Sequence, residues 1–280
     1  MKRLWIAAIL AVAAGPLWAQ QAIHADAATQ PGAGRPYLRQ HVEYWAYGDD
    51  PVSGPGGDRE VTEWVSLTEL TYGLTGNLSV RASLPVILRR ADSPATQDDT
   101  DFGTDDLTLT LRYRAWQNDF GPVDTARLML IAGTDVPTGS DPFSGEHLQP
   151  LLGMTFTYIH DRHGFSVAGV YKFNFESDSD KPYIRPDDGG GDFVTGDVSY
   201  LYRLEPEQYR EDSVDALYAV LEVNTVFDTG GEYEVFVSPG LLYEARQFAA
   251  EVSVQLPVAR EVELRPELDF TLTVGFRWLF

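Results

Sequence analysis

The residues best equipped for chemistry fall into three groups. His160 and His163 stand three apart across a short turn, a spacing able to hold a metal ion if further ligands converge; turn histidines at an interface are the plainer alternative. Ser144, with Asp141, Glu146 and His147 around it, has the composition of a serine hydrolase. No nucleophile elbow surrounds it, however, and the same stretch reads as turn-forming sequence. Asp99-x-Asp101-x-Gly103-x-Asp105 sets oxygen donors at alternate positions in the manner of a Ca²⁺ loop but lacks the Glu that closes an EF-hand. A second acidic group comprises Asp178, Asp180, Asp187, Asp188 and Asp192. For both groups the alternative is a solvated surface whose acids are bridged by divalent ions to lipopolysaccharide phosphates. The reading therefore assigns no catalytic residue, no cofactor and no metal ligand, and keeps Asp99, Asp101 and Asp105 as Ca²⁺ candidates.

Composition narrows the field further. The 280 residues carry 21 Lys+Arg against 42 Asp+Glu, a formal charge of -21, which repels a nucleic-acid backbone. There is no cysteine, which removes disulfides, thiolate catalysis and Cys-ligated zinc. The mean hydropathy is below zero, which argues against a bundle of membrane-spanning helices. Residues 1–19 have a basic start (Lys2, Arg3), an apolar stretch from Leu4 to Ala14, Pro16 and a small Ala19, the layout of a cleaved signal peptide. An N-terminal anchor helix is the alternative. Residues 20–35 are small, polar and without period, and read as a flexible periplasmic lead-in.

From residue 36 onward the pattern alternates apolar and polar, the signature of half-buried strands. In Leu78–Arg90, Leu78, Val80, Ala82, Leu84, Val86 and Leu88 oppose Ser79, Arg81, Ser83 and Arg89. Asp106–Trp116, Phe165–Glu176 and Asp269–Phe280 repeat the scheme. About twelve such segments follow from period and turn signals: 37–47, 60–74, 78–90, 105–116, 124–135, 150–160, 164–176, 192–203, 215–227, 232–243, 247–257 and 268–280. Tight turns (75–77, 161–163) alternate with long Gly/Pro/Asp-rich loops (48–59, 91–104, 136–149, 177–191), although the rhythm breaks at 204–214 and 228–231.

Charges at mid-strand on the polar face decide between a soluble sandwich and a barrel in a membrane. A closed barrel turns that face to a wet lumen, leaves the apolar face to lipid and pairs every strand edge. The expected fold is all-β: a transmembrane antiparallel up-and-down β-barrel of about twelve strands over residues 36–280, in the outer membrane. Parity places Arg81, Arg112, Arg114, Lys172, Glu222, Glu251 and Arg277 in the lumen, with Arg39, His41, Glu43, Arg89, Glu176, Asp197 and Glu234. Glu63 and Glu69 share parity with Val65 and Leu67, which counts against them. Both signs of charge are present, so satisfied packing charges remain as good a reading as a solute path. Tyr and Trp near strand ends suit interfacial girdles, and Phe280 at the end of an alternating run is expected to act as the signal to the barrel-assembly machinery.

Three stretches are similar to the outer-membrane transporter family named for the phenol-degradation meta pathway (MetA pathway). Phe102-Gly103-Thr104-Asp105-Asp106-Leu107 resembles its Gly-x-Gly-Asp-Leu strand opening, with Asp105 in place of the second Gly. Asp135-Val136-Pro137-Thr138-Gly139 resembles its Leu-Pro-Thr-Gly loop, with Val136 for the Leu, and Tyr72-Gly73-Leu74-Thr75 its Tyr-Gly-Leu-Thr turn. The resemblance implies a barrel that passes small compounds, hydrophobic or aromatic ones among them, and brings no catalytic residues. The expected partners are membrane lipid and lipopolysaccharide, the assembly machinery and a small solute, with no nucleic acid. A barrel hydrolase acting on lipid and a non-conducting surface barrel are the alternatives.

Overall fold

The computed structural model describes residues 21–48, 60–92, 99–145, 147–175, 184–185, 191–209 and 214–279. The expected signal peptide and Phe280 lie outside the described residues, as do Glu146, Glu176, Asp178, Asp180, Asp187 and Asp188. The described chain is all strand and connection: β1 (Pro36–Tyr47), β2 (Glu60–Gly73), β3 (Leu78–Asp92), β4 (Asp99–Thr104), β5 (Leu107–Asp119), β6 (Thr125–Val136), β7 (Gln149–His160), β8 (His163–Lys172), β9 (Phe193–Glu205), β10 (Asp215–Asp228), β11 (Tyr233–Ala245), β12 (Phe248–Glu261) and β13 (Leu268–Leu279). All pair antiparallel with their neighbours, and β1 pairs with both β2 and β13, so the sheet closes on itself.

β4 and β5 both pair with β3 and form the two halves of one stave, broken at Asp105 and Asp106, which leaves twelve staves around the barrel. The break corrects the sequence reading, which assigned 91–104 to a loop: β4 extends the wall upward along β3. β8 also ends at Lys172 rather than 176. Four short turns, 74–77, 120–124, 161–162 and 246–247, join strands at the end where β1 begins, as does the longer 206–214; the longest connections, 48–59, 137–148 and 173–192, lie at the other end with 229–232 and 262–267. Short turns belong to the periplasmic end of such barrels.

The period of two drives closure. Residues of one parity turn outward and stay accessible: Leu109 is 38%, Val167 40% and Phe276 45% exposed. In a sandwich these side chains would be packed between two layers. Here they form the apolar outer band, and aromatic pairs rim it, including Tyr44–Trp64 at 5.0 Å and Phe120–Tyr158 at 5.7 Å between ring centroids. The alternate residues face inward, Arg112, Glu222 and Thr273 among them, all buried. A bulge between Arg114 and Trp116 shifts the alternation at the lower end of β5.

Val167 lies near the middle of β8, in register with Phe156 and Val198. Val167→Arg is expected to destabilise the folded barrel by about 2–4 kcal/mol in lipid. Urea unfolding in vesicles reads this, and an unchanged midpoint would remove the lipid-facing assignment of that parity.

Candidate functional site

Residues 21–34 are not outside the barrel. They enter its periplasmic half, and Ala22, Ile23, Ala25, Ala27 and Ala28 are buried there. This corrects the reading of a flexible lead-in. The segment has no period because it belongs to no wall; its small side chains fit a narrow lumen. It leaves through a turn in which Arg35 N donates to Gly32 O at 3.1 Å and Gly34 N to Gly73 O at 2.8 Å, and then enters β1. Gly34 has φ of 74°, a conformation open to glycine. Wall glycine also makes room: a Cβ on Gly240 would come within 2.7 Å of Ile23 Cδ1.

A strandless backbone in a lumen needs hydrogen-bond partners, and the inward charges supply them. One Glu222 carboxylate accepts from Ile23 N at 2.8 Å, from His24 N at 3.0 Å and from Ala25 N at 2.6 Å. Two guanidiniums serve the carbonyls: Arg277 donates to Gln21 O at 3.1 Å and Ala22 O at 2.7 Å, and Arg39 donates to Ile23 O. Glu251 pairs with Arg39, Arg277 and His41 and holds both arginines in place. Ala28 N donates to Thr157 Oγ1 at 2.9 Å, and Thr155 Oγ1 donates to Asp26 O at 2.9 Å. Asp26 pairs with Arg112 and lies 3.5 Å from Arg81. Burial works against the Asp26 charge, but these two guanidiniums outweigh it and hold the carboxyl below the usual carboxylate range. Ile23 completes the fit by packing among Leu201, Tyr218, Val220 and Leu242.

Of the seven lumen candidates, Arg81, Arg112, Glu222, Glu251 and Arg277 thus gather around this segment. Arg114 stands at the turn end, where it donates to Gly76 O and to Asn77 Oδ1 at 3.3 Å. Lys172 lies toward the loop end, 3.0 Å from Asp135 and over the Phe193 ring. Parity missed several members. Glu69 faces inward and pairs with Arg39 and Arg81, each at about 3.5 Å. Glu63 is fully buried between Arg89 at 2.5 Å and Arg185 at 2.8 Å. Val65 shares its parity because the upper lumen itself has an apolar lining, in which Val65 packs with Ile87 and Phe143.

Described loop residues reach into the upper half. Ile184 and Arg185, between β8 and β9, fold into the lumen: Ile184 packs with Tyr47, Val61, Phe236 and Leu268, and Arg185 reaches Asp105 at 3.2 Å. Arg265, between β12 and β13, pairs with Glu234 at 2.8 Å and Glu232 at 3.3 Å. Loop residues that reach inward leave no periodic trace in the sequence.

The remaining candidates take other partners. His160 lies 3.4 Å from Asp124, and His163 bonds to the Tyr200 hydroxyl at 2.7 Å. Ser144 Oγ donates to Asp106 Oδ1 at 2.6 Å, and Asp106 also accepts from the amides of Thr138, Gly139 and Gly145, so it organises the loop after β6. His147 is exposed. Asp99 and Asp101 lie on β4 and Asp105 pairs with Arg185; among the described residues no group of three or more acids and histidines is placed to hold a metal.

Residues 56–261 match the model of a family described as "Putative MetA-pathway of phenol degradation". The fold is similar to that of an outer membrane channel from Pseudomonas putida F1, at 15% identity and a TM-score of 0.58, over 90% of this chain and 97% of that one. It is also similar to the NanC porin, at 9% identity and a TM-score of 0.49, over 86% of this chain and 98% of the porin. No curated protein matches the sequence. The closed sheet, its apolar outer band and the first of these likenesses establish an outer-membrane β-barrel.

Glu222→Ala leaves three amides without their acceptor. The loss of a charge-assisted partner, about 1.5–3 kcal/mol, is expected to speed hydrogen exchange at Ile23, His24 and Ala25 by roughly tenfold or more, with the strand amides unchanged. Equal exchange in both proteins would contradict this anchoring.

Proposed function

We propose, because the chain belongs to this phenol-degradation MetA-pathway family, that it is an outer-membrane channel or passive transporter for small compounds, hydrophobic or aromatic ones among them. The arrangement described here is then its closed form. One observation carries the reading: residues 21–28 lie in the periplasmic half of the lumen and are held there by wall side chains rather than by a strand ladder. A barrel with a purely structural role can fill its interior with wall side chains alone. A segment held by separable contacts leaves a passage when it moves, and that passage would be lined by Arg81, Arg112, Glu222, Glu251 and Arg277.

The lining carries both signs. An anion-selective pore needs a clear excess of cations, and a cation pore the reverse. The reading therefore favours weakly charged or neutral solutes. It takes the membrane lipid and the assembly machinery as partners and uses no cofactor. The acidic outer loops then serve the surface rather than the passage.

Removal of residues 22–28, with the remainder of the chain retained, tests the proposal. Single-channel conductance and liposome swelling by small neutral sugars are expected to rise well above those of the intact protein. A folded deletion variant that conducts no better than the intact barrel would favour a non-conducting structural role.

A further inference from the structure

On one side of the barrel the inward guanidiniums outnumber the carboxylates that meet them. In the periplasmic half of β3, β5 and β6 the described inward residues include Arg81, Arg112, Arg114 and Arg127, against one acid, Asp119 at the turn end. Two carboxylates reach this row from elsewhere. Glu69 of β2 lies 3.4 Å from Arg81, and Asp26 of the N-terminal segment pairs with Arg112. Among the described residues Arg114 and Arg127 form no ion pair.

Arg127 is nonetheless only 5% exposed. Its side chain donates from Nε to Thr125 Oγ1 at 3.1 Å, and Thr125 donates in turn to Asp119 Oδ1 at 2.6 Å. Arg114 uses one terminal nitrogen on Gly76 O and Asn77 Oδ1, and its Nε is buried without a partner. Arg114 is in register with Met129, and Arg127 lies two residues along the same strand, so the two arginines are diagonal neighbours on the inner face. Two like charges side by side and withdrawn from water are unfavourable until an anion joins them.

The row itself shows which anion fits. Arg112 holds Asp26 through both terminal nitrogens, one to each carboxylate oxygen, the second at 2.9 Å. That is the forked geometry by which a guanidinium takes a carboxylate. Position ties the pair to the passage. Arg127 is in register with Thr157, whose hydroxyl accepts the Ala28 amide, so the pair lies beside the pinned segment. Arg112 is the next inward residue above Arg114 on β5. When the segment withdraws it takes Asp26 with it, and Arg112, Arg114 and Arg127 then line one side of the opened lumen.

We propose that Arg114 and Arg127 form a binding site for the carboxylate of a small organic acid, at the periplasmic end of the passage. The acid passes from Arg112 to this pair and from there to the periplasm. The proposal rests on the channel reading above and narrows its weakly charged solutes to monoanions.

Calorimetric titration of the detergent-solubilised barrel tests it. Benzoate is the probe, phenol its neutral analogue and inorganic phosphate the other oxyanion. Benzoate is expected to bind at least tenfold more tightly than phenol. Arg114→Gln with Arg127→Gln is expected to weaken benzoate at least tenfold, while Arg90→Gln, at an exposed arginine near the loop end, binds it as the wild type does. No benzoate binding, equal binding of benzoate and phenol, or an unchanged affinity in the double variant overturns the site. Tighter binding of phosphate than of benzoate overturns the organic acid as its ligand. Should the double variant fail to fold, the guanidinium NMR resonances of the wild type decide: benzoate is expected to shift those of Arg114 and Arg127, and unshifted resonances contradict the proposal. Binding is read without ion flow, so its failure and a non-conducting deletion variant are separate results, the first against this site and the second against the channel.

Discussion

The carboxylate of Glu222 meets three consecutive amides of a chain segment that has no secondary structure of its own, and the interior is organised by contacts of this kind. A barrel wall in lipid must turn its charges inward. Once inward they are withdrawn from bulk water, and each needs a partner. The wall supplies some of these partners, as where Glu251 joins Arg39 and Arg277. The N-terminal segment supplies others through its amides, its carbonyls and Asp26, and the loop residues Arg185 and Arg265 partner Glu63 and Glu234. Segment and wall therefore satisfy each other: neither the bare charges nor the bare backbone would be stable in the lumen without the other.

The mode of attachment matters for function. Polar contacts of this type are directional but separable, and water can replace them when the segment withdraws. The Ile23 contacts with Tyr218 and Leu242 add an apolar component that favours return. In the upper half the loop residues Ile184 and Arg185 pack against an apolar lining and a buried carboxylate. Both halves of the lumen thus carry buried ion pairs; the lower one adds the N-terminal backbone, and the upper one an apolar lining with loop residues packed on it.

The wall was legible because its physics is local. Leu78–Arg90 alternates without a fault, and β3 spans Leu78–Asp92. The interior was legible only where parity applied cleanly, as for Arg112 and Arg277. Glu63 was obscured by Val65, since an apolar patch inside the barrel imitates the lipid face. The stave formed by β4 and β5 was half hidden, because Asp105 and Asp106 interrupt it with the residues of a turn. The lead-in was misjudged for a deeper reason. Small residues without period look the same whether the chain hangs in water or lies in a pore; only long-range partners such as Glu222 and Thr157 distinguish the two. The Ala22, Ala25, Ala27 and Ala28 run with a lone Asp26 was the one available sign.

The account depends on where residues 21–28 lie. The most direct measurement joins Ala28→Cys to Thr157→Cys, since Ala28 N already bonds Thr157 Oγ1 at 2.9 Å. Mild oxidation of the folded barrel, followed by mass spectrometry without reductant, should recover the disulfide in nearly every molecule. Two free thiols in a folded barrel, both reacting with a water-soluble maleimide as fast as an unstructured peptide does, would place the segment outside the pore and contradict the account.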